Sequence, residues 1–481
     1  MKKVRTRFAP SPTGYLHIGG LRTALYAYLF AKKNNGDFIL RIEDTDLERY
    51  VEGATQLIYS SLKSAGINYD EGPDVGGNFG PYIQSERKDI YMQYVQKLIK
   101  NGGAYYCFCD KTRLESLTDK TGQRKYDKHC CKLSKEEIAE NLKNKKPYVI
   151  RQNIPEFGRT SYTDLVFGEI VVDCKDLEDN VLIKSDMMPT YNFANVVDDH
   201  LMGITHVIRG EEYLSSTPKY NLLYDSFGWE QPAYIHLPPV MRDGQHKLSK
   251  RHGDPSYNDL INEGFLKEAL VNYIALLGWS PKMNKEKMSL KELEELFSIE
   301  GLNKSPAIFD KAKLKWLNGE YIKGMSAEVF NGYATPWYDK CKVAGKYDYL
   351  KLSKLLTTRI ELFSQIPDKV NFLEEFAKYD LNLFNKEKLK ITKELAKVIL
   401  PKLKIVLENI KDFNEMSIHE AIKSFIETSG YKSGQVFWAL RVALTGCEST
   451  PGGATEMADI LGKEKTLERL NFSIELLKTK A

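Results

Sequence analysis

The segment Pro10-Ser11-Pro12-Thr13-Gly14-Tyr15-Leu16-His17-Ile18-Gly19-Gly20 combines residue types suited to a phosphorylated ligand. Glycines at a turn let backbone approach a flat or charged group, and a helix starting beyond them offers unpaired N–H groups and a positive dipole end. A histidine at that mouth, His17, can donate to a phosphate oxygen. Alone, a histidine beside two glycines also fits an ordinary turn. Far downstream, Lys247-Leu248-Ser249-Lys250-Arg251 follows Asp243-Gly244-Gln245 and gathers three cations and a hydroxyl within five residues. Such a loop can clamp a polyphosphate whose charge grows in the transition state, although alone it also fits a solvated basic loop. Each segment addresses a phosphate, so each strengthens the reading of the other.

The surrounding elements tell how these residues are positioned. Residues 4–9 alternate as a short strand that stops at Pro10–Gly14, and Leu21–Ala31 has a helical pattern ending near Asn34-Asn35-Gly36. A second strand, Phe38-Ile39-Leu40-Arg41-Ile42, then runs into Glu43-Asp44-Thr45-Asp46. Strand, turn, helix, strand is the start of a parallel βαβ unit, in which ligands sit at the carboxyl ends of the strands. The texture changes over 105–188, where four clustered cysteines, a Lys-rich run at 132–146 and Glu169-Ile170-Val171-Val172-Asp173 suggest an inserted subdomain. The α/β character resumes at Pro189-Thr190-Tyr191 and continues through Thr205–Arg209. Beyond about 325, strand signals fade, and Leu350–Leu362 and Ile391–Ile410 carry apolar residues at helical spacing.

The expected fold is therefore α/β: a Rossmann-like parallel-sheet catalytic domain with an inserted α+β subdomain, followed by an all-α C-terminal domain. The expected boundaries are 1–104 and 189–240 for the two catalytic halves, 105–188 for the insert, 241–324 for a region carrying the basic loop, and 325–481 for the helical domain. A length of 481 residues suits about three domains. Hydrophobic residues at 42% and charged residues at 28% are those of an ordinary globular protein. The net charge of +4 announces no nucleic-acid partner, but a local basic face is sufficient for one. The N-terminus lacks an apolar signal region, and the longest apolar stretch, Ala269–Trp279, is too short to span a bilayer. The expectation is a cytoplasmic protein with no membrane partner.

The His-Ile-Gly-Gly turn and the Lys-x-Ser-Lys-Arg loop together resemble the paired signatures of class I aminoacyl-tRNA synthetases. Arg7–Gly14, Arg41–Asp46, Tyr69–Pro73, Gln84–Arg87, Asn195–His200, Arg209–Glu212, Leu440–Gly446 and Leu461–Glu464 are similar to the glutamyl-tRNA synthetase family in particular. The resemblance runs over essentially the whole chain. It implies ATP-dependent activation of glutamate, with Mg2+, and transfer of the glutamyl group to tRNA(Glu) by a monomeric enzyme. Whether tRNA(Gln) is charged as well stays open. No protein nucleophile is needed, so catalysis should rest on positioning and charge stabilisation.

By this resemblance His17 and Lys250, assisted by Lys247, would stabilise the phosphates. Ser11 and the Gly19-Gly20 backbone would line the nucleotide site, and Glu212 would lie near the ribose or adenine. The family's first signature often ends in a second histidine, which is Gly20 here. Arg7 and Arg209 would hold a glutamate carboxylate, Glu43 its ammonium, and Ala9, Ser11, Tyr191 and Asn195 would complete the pocket. The chemistry agrees, because a carboxylate wants a planar bidentate donor. Leaving a desolvated arginine without its anion costs roughly 3–5 kcal/mol, on the order of 10²- to 10³-fold against glutamine, so no editing site is required.

Seven cysteines, an odd number, make no disulfide framework in this chain. Some members of the family carry zinc on a Cys-x-Cys pair and a later Cys-x-His. Cys107-Phe108-Cys109 fits the first half, but Lys132 stands where the second-half histidine would fall. A tetrahedral set remains available from Cys107, Cys109, Cys130 and one of Tyr126, His129 or Cys131, with free buried thiols as the alternative. The helical tail fits an anticodon reader, with Phe437 and Trp438 as stacking surfaces and Arg441 as a candidate contact. A nucleotidylyltransferase would be far shorter, and a non-catalytic paralogue would be expected to lack His17 or Lys250.

Overall fold

Strand β1 (Arg5–Phe8) leads through Pro10–Gly14 into the helix Ile18–Lys33, and β2 (Asp37–Leu40) returns beside β1 in parallel register, Arg5 opposite Asp37 and Phe8 opposite Leu40. The crossover helix has apolar side chains on several faces, and Leu21, Ala24, Leu25 and Leu29 are all fully buried. One side packs on the sheet and another on the helices Lys267–Ala275 and Leu290–Leu296. Gly36 makes the return to β2 possible, because a Cβ there would sit 2.3 Å from the Val4 carbonyl oxygen. This computed structural model describes residues 2–14, 16–46, 51–118, 125–248 and 253–479.

The following strands are β3 (Ala104–Cys107), β4 (Val149–Gln152), β5 (Arg159–Asp164), β6 (Gly168–Asp173), β7 (Val181–Ile183), β8 (His206–Gly210), β9 (Ala233–Leu237), β10 (Val240–Met241) and β11 (Ala307–Ile308). β8 and β9 run parallel, with Arg209 opposite His236. β8 is tied to β1 where the Thr205 N–H donates to the Arg5 carbonyl over 3.0 Å. β9 continues in parallel to β5 at Asp164–Tyr234, and β5 and β6 form an antiparallel hairpin. The insert therefore supplies strands to the sheet that carries β8 and β9, besides building its own antiparallel sheet in the order β3-β4-β7. Tyr91, Val95, Ile150, Phe193, Val196, Val197 and Leu223 form a buried core around these elements.

The chain divides into two compact units, residues 1–262 with 267–311, and residues 263–266 with 312–481. The described residues of the second unit contain helices and no β-strand; among them are Ala327–Tyr338, Tyr349–Leu356, Lys393–Glu408, Glu415–Ser429, Ser433–Thr445 and Ala454–Lys478. Gly430 and Gly446 end two of these helices with left-handed backbone, φ 73° and 65°. No described helix is long and apolar enough to cross a membrane.

One expectation for the tail is corrected. Trp438 is 9% exposed and its indole N–H donates to the Leu383 carbonyl over 2.9 Å. It belongs to the helical core and offers no face for stacking a base. Phe437 is half-buried against the His419 ring. Helical spacing shows which residues share a face, but which face meets solvent depends on neighbours distant in sequence.

Candidate active site

The carboxyl ends of β1, β2, β8 and β9 converge on a cavity of about 480 Å³, as the parallel arrangement requires of a ligand site. At its mouth His17 is the N-cap of the helix Ile18–Lys33, its Nδ1 accepting the Gly20 N–H over 3.0 Å. A neutral ring in that role carries its proton on Nε2, the nitrogen suited to donate to a phosphate. A Cβ at Gly20 would meet Leu16 at 3.1 Å and the His17 ring at 3.6 Å, so a side chain there would crowd the capping histidine. Ser11 and Gly19 also line the cavity, and so does Ala9.

From the far wall Glu212 faces the same space, its carboxylate folded back over the bare Cα of Gly210. Lys247 reaches the cavity from a turn that Asp243 ties together by accepting the N–H groups of Gln245 and His246, each over 2.9 Å. Those donors and the His246 ring hold the Asp243 carboxyl below the ordinary carboxylate range. Lys250, the second member of the basic loop, lies outside the described residues.

The inner end of the cavity is charged and buried. Arg7, 3% exposed, places its Nε 3.0 Å and its Nη2 3.2 Å from the two oxygens of Asp199. Arg41, fully buried, reaches Asp199 over 2.8 Å and Glu43 over 3.0 Å. Behind them Asp198 accepts from Arg87, Gln84 and Tyr91 over 2.7, 2.9 and 2.8 Å. Burial pushes the Glu43 carboxyl above its ordinary range, with Arg41 and Arg7 opposing. Burial acts the same way on Asp199, but there Arg7 and Arg41 prevail and hold the carboxyl low.

Arg209 is different. It is 6% exposed, lines the cavity, and has no acidic partner among the described residues. Its guanidinium lies 4.9 Å from the Tyr213 ring, 5.0 Å from Tyr220 and 5.6 Å from Tyr234, with Tyr191 hydroxyl 3.5 Å away. A buried arginine held by aromatic faces is a standing demand for an anion. Tyr191 lines the cavity beside it. Asn195, expected in the pocket wall, lies behind it, 2% exposed, with its amide donating to the Tyr191 carbonyl.

Sequence reasoning left Arg41, Asp198, Asp199 and His236 without roles. Each carried a signal, namely a charged or titratable residue beside apolar neighbours: Arg41 after Phe38-Ile39-Leu40, the aspartates after Val196-Val197, and His236 between Ile235 and Leu237. A polar group in a buried strand or helix must have a partner.

Away from this cavity the sulfurs of Cys107, Cys109 and Cys130 lie within 4.8 Å of one another. The Tyr126 hydroxyl is 3.3 Å from Cys107 and 3.7 Å from Cys109, whereas His129 is exposed and Cys131 turns to Asn153. Contact with the Cys130 thiol, and then with the Tyr126 hydroxyl, holds the Cys107 thiol well below the ordinary thiol range against the effect of burial. Tetrahedral zinc on thiolates would set sulfurs about 3.8 Å apart, and Cys109 and Cys130 are 3.5 Å apart. The donor set fits the metal.

Two family models cover most of the chain: "tRNA synthetases class I (E and Q), catalytic domain" over residues 3–316, and "Anticodon binding domain" over residues 327–474. The chain is 57% identical to a glutamate–tRNA ligase of Clostridium tetani (strain Massachusetts / E88), covering 99% of this chain and 98% of that one. It is 55% identical to a glutamate–tRNA ligase of Clostridium novyi (strain NT), covering 99% of each. A crystal structure of a glutamate tRNA ligase from Elizabethkingia meningosepticum CCUG26117 in complex with its amino acid superposes with a TM-score of 0.91 at 37% identity, over 99% of this chain and all of that one. Identity of this order over nearly the full length means that the chain belongs to the glutamate–tRNA ligase family of class I aminoacyl-tRNA synthetases.

Proposed function

We propose that the chain activates glutamate with ATP and passes the glutamyl group to the terminal adenosine of tRNA(Glu). In the first step the glutamate α-carboxylate attacks the α-phosphorus, and the bond to the departing pyrophosphate breaks. In the second a ribose hydroxyl of the tRNA attacks the activated carbonyl and AMP leaves. His17, Lys247 and Lys250 stabilise charge on the phosphates, and Ser11, Gly19, Gly20 and Glu212 line the nucleotide end. The Mg2+ that accompanies ATP would neutralise part of the phosphate charge.

The observation that carries the glutamate assignment is Arg209, a buried cation in the cavity with no acidic side chain paired to it among the described residues. It receives the substrate's side-chain carboxylate. Arg7 supports it, because Asp199 takes the Nε–Nη2 edge and the Ile208 carbonyl accepts from Nη1 over 3.3 Å, leaving one N–H on each terminal nitrogen. Glu43 pairs the ammonium, Tyr191 and Ala9 complete the wall, and Asn195 holds the Tyr191 backbone. Pyrophosphate exchange, run with and without tRNA, tests the reading. Arg209→Gln should raise the KM for glutamate by about 100-fold or more, roughly 3 kcal/mol of lost pairing, while the KM for ATP changes little. No glutamate-dependent exchange by the wild-type enzyme under either condition would overturn the activity itself.

Three finer readings go with this one. Residues 105–188, between the two catalytic halves 1–104 and 189–240, meet the tRNA acceptor end, 241–324 carries the basic loop against the stem, and 325–481 reads the anticodon. Zinc is held by Cys107, Cys109, Cys130 and Tyr126, where it would have a structural role. The enzyme works as a cytoplasmic monomer.

A further inference from the structure

Behind Arg209 lies a buried titratable group that the activation chemistry does not use. His236 is fully buried on β9, opposite Arg209 on β8. Its Nε2 stands 3.1 Å from Arg209 Nε, and its Nδ1 stands 2.7 Å from an oxygen of Asp164. Asp164, 1% exposed, also accepts the backbone N–H groups of His236, Val166 and Phe167 over 3.1, 2.9 and 2.9 Å. With three backbone N–H groups directed at it, this carboxyl is already serving as an acceptor, so the imidazole proton belongs on Nδ1. Arginine only donates, so Nε2 must present its lone pair to Arg209. Both contacts require a neutral ring in one tautomer, and burial favours the neutral form by lowering the histidine pKa.

The consequence reaches the substrate. Thr217 donates its hydroxyl proton to the Tyr213 carbonyl over 2.8 Å and accepts Arg209 Nη2 over 2.6 Å. His236 and Thr217 thereby occupy the Nε–Nη2 edge of the guanidinium. Nη1 reaches only the Tyr191 hydroxyl, over 3.5 Å, so the Nη1–Nη2 edge keeps N–H groups to meet a carboxylate side by side. A flipped or doubly protonated imidazole would set an N–H against the Arg209 N–H and turn that edge away.

We infer that His236, held as its Nδ1–H tautomer by Asp164, is a positioning residue that aims Arg209 and so sets the preference for glutamate over glutamine. The inference rests on the reading of Arg209 as the receiver of the side-chain carboxylate, and the test separates the two. His236→Asn keeps a donor for Asp164 but withdraws the acceptor from Arg209, and His236→Gln extends an amide oxygen to the Nε2 position. Kinetics of pyrophosphate exchange are measured for both, beside Arg209→Gln, with glutamate and with glutamine.

His236→Asn should raise the KM for glutamate about ten-fold or more, the loss of one hydrogen bond to a charged group. It should lower the glutamate-to-glutamine ratio in step, leave kcat and the KM for ATP within about three-fold, and be largely rescued in His236→Gln. An unchanged glutamate KM in His236→Asn, equal rises for glutamate and ATP, or no rescue would overturn the inference. If Arg209→Gln also leaves glutamate KM unchanged, the reading of Arg209 fails; if it alone shifts KM, only the role of His236 fails. Should neither histidine variant fold, nitrogen NMR of the histidine-labelled wild-type enzyme decides. A slowly exchanging proton on Nδ1 at neutral pH is expected, and protonation at Nε2 sinks the proposal.

Discussion

Asp199 joins the two parts of the buried charge network, since it binds Arg7 on one side and Arg41 on the other. Substituting Asn leaves both arginines short of an anion in a dry site, which costs roughly 3–5 kcal/mol. Burial alone would raise the Asp199 pKa, but Arg7 and Arg41 hold it below its ordinary value. A depressed carboxyl contributes stability that is fully present above its unfolded pKa, about 4, and is lost as pH falls through the lower folded value. The unfolding free energies of wild type and Asp199→Asn, measured in urea from neutral to acid pH, should differ by a constant gap that narrows only below about pH 4. A gap that widens in acid would contradict this account. Family resemblance pointed to Arg7, Glu43 and Arg209 because they stand inside the motifs that carry it. It left Asp199 and His236 unassigned because their roles come from partners on other strands and helices, Arg7 and Asp164 among them.

At the scale of elements, periodicity located the first strands and the crossover helix to within a few residues, since their apolar pattern and the Asn34-Asn35-Gly36 stop are local signals. It ran too far at Leu350–Leu362. That helix stops at Leu356, and the Gln365 side chain then accepts the N–H groups of Glu361 and Leu362 over 2.8 and 3.1 Å. A side-chain acceptor arriving from a later turn leaves no mark in the spacing that precedes it. The cysteine cluster is likewise assembled by elements: Cys107 ends β3, Cys109 follows it, and Tyr126 and Cys130 arrive from a separate segment whose Cys130 N–H donates to the Tyr126 hydroxyl over 3.1 Å. A metal bound there would fasten the segment to the strand end, where the donors already converge. Metal analysis of enzyme purified from zinc-supplemented cells should find about one zinc per chain, falling to near zero in Cys109→Ser without a comparable change in glutamate KM. Wild-type enzyme free of zinc after such a preparation would return these residues to the status of buried thiols.

For the whole molecule, a net charge of +4 spread over 481 residues supplies no general attraction to tRNA, so recognition has to be local. The second unit has a second cavity, about 340 Å³, whose walls include Lys354, Arg359, Arg441, Thr450 and the Gly452-Gly453 backbone. Arg441 Nε is buried there with no hydrogen-bond partner among the described residues, which costs stability unless a ligand supplies an acceptor. Three cationic side chains and one carboxylate, Glu456, beside glycine backbone suit one unstacked base and its phosphate, read by edge hydrogen bonds. Arg441→Ala should therefore weaken tRNA(Glu) by about 1–3 kcal/mol, seen as a higher KM for tRNA in aminoacylation with the KM values for ATP and glutamate unchanged. Losing a base contact should also leave the salt dependence of tRNA binding nearly intact, whereas losing a phosphate contact would make its slope shallower by about one unit. An unchanged tRNA KM in Arg441→Ala would remove this cavity from the anticodon assignment, and a shallower salt slope would reassign Arg441 from base to backbone.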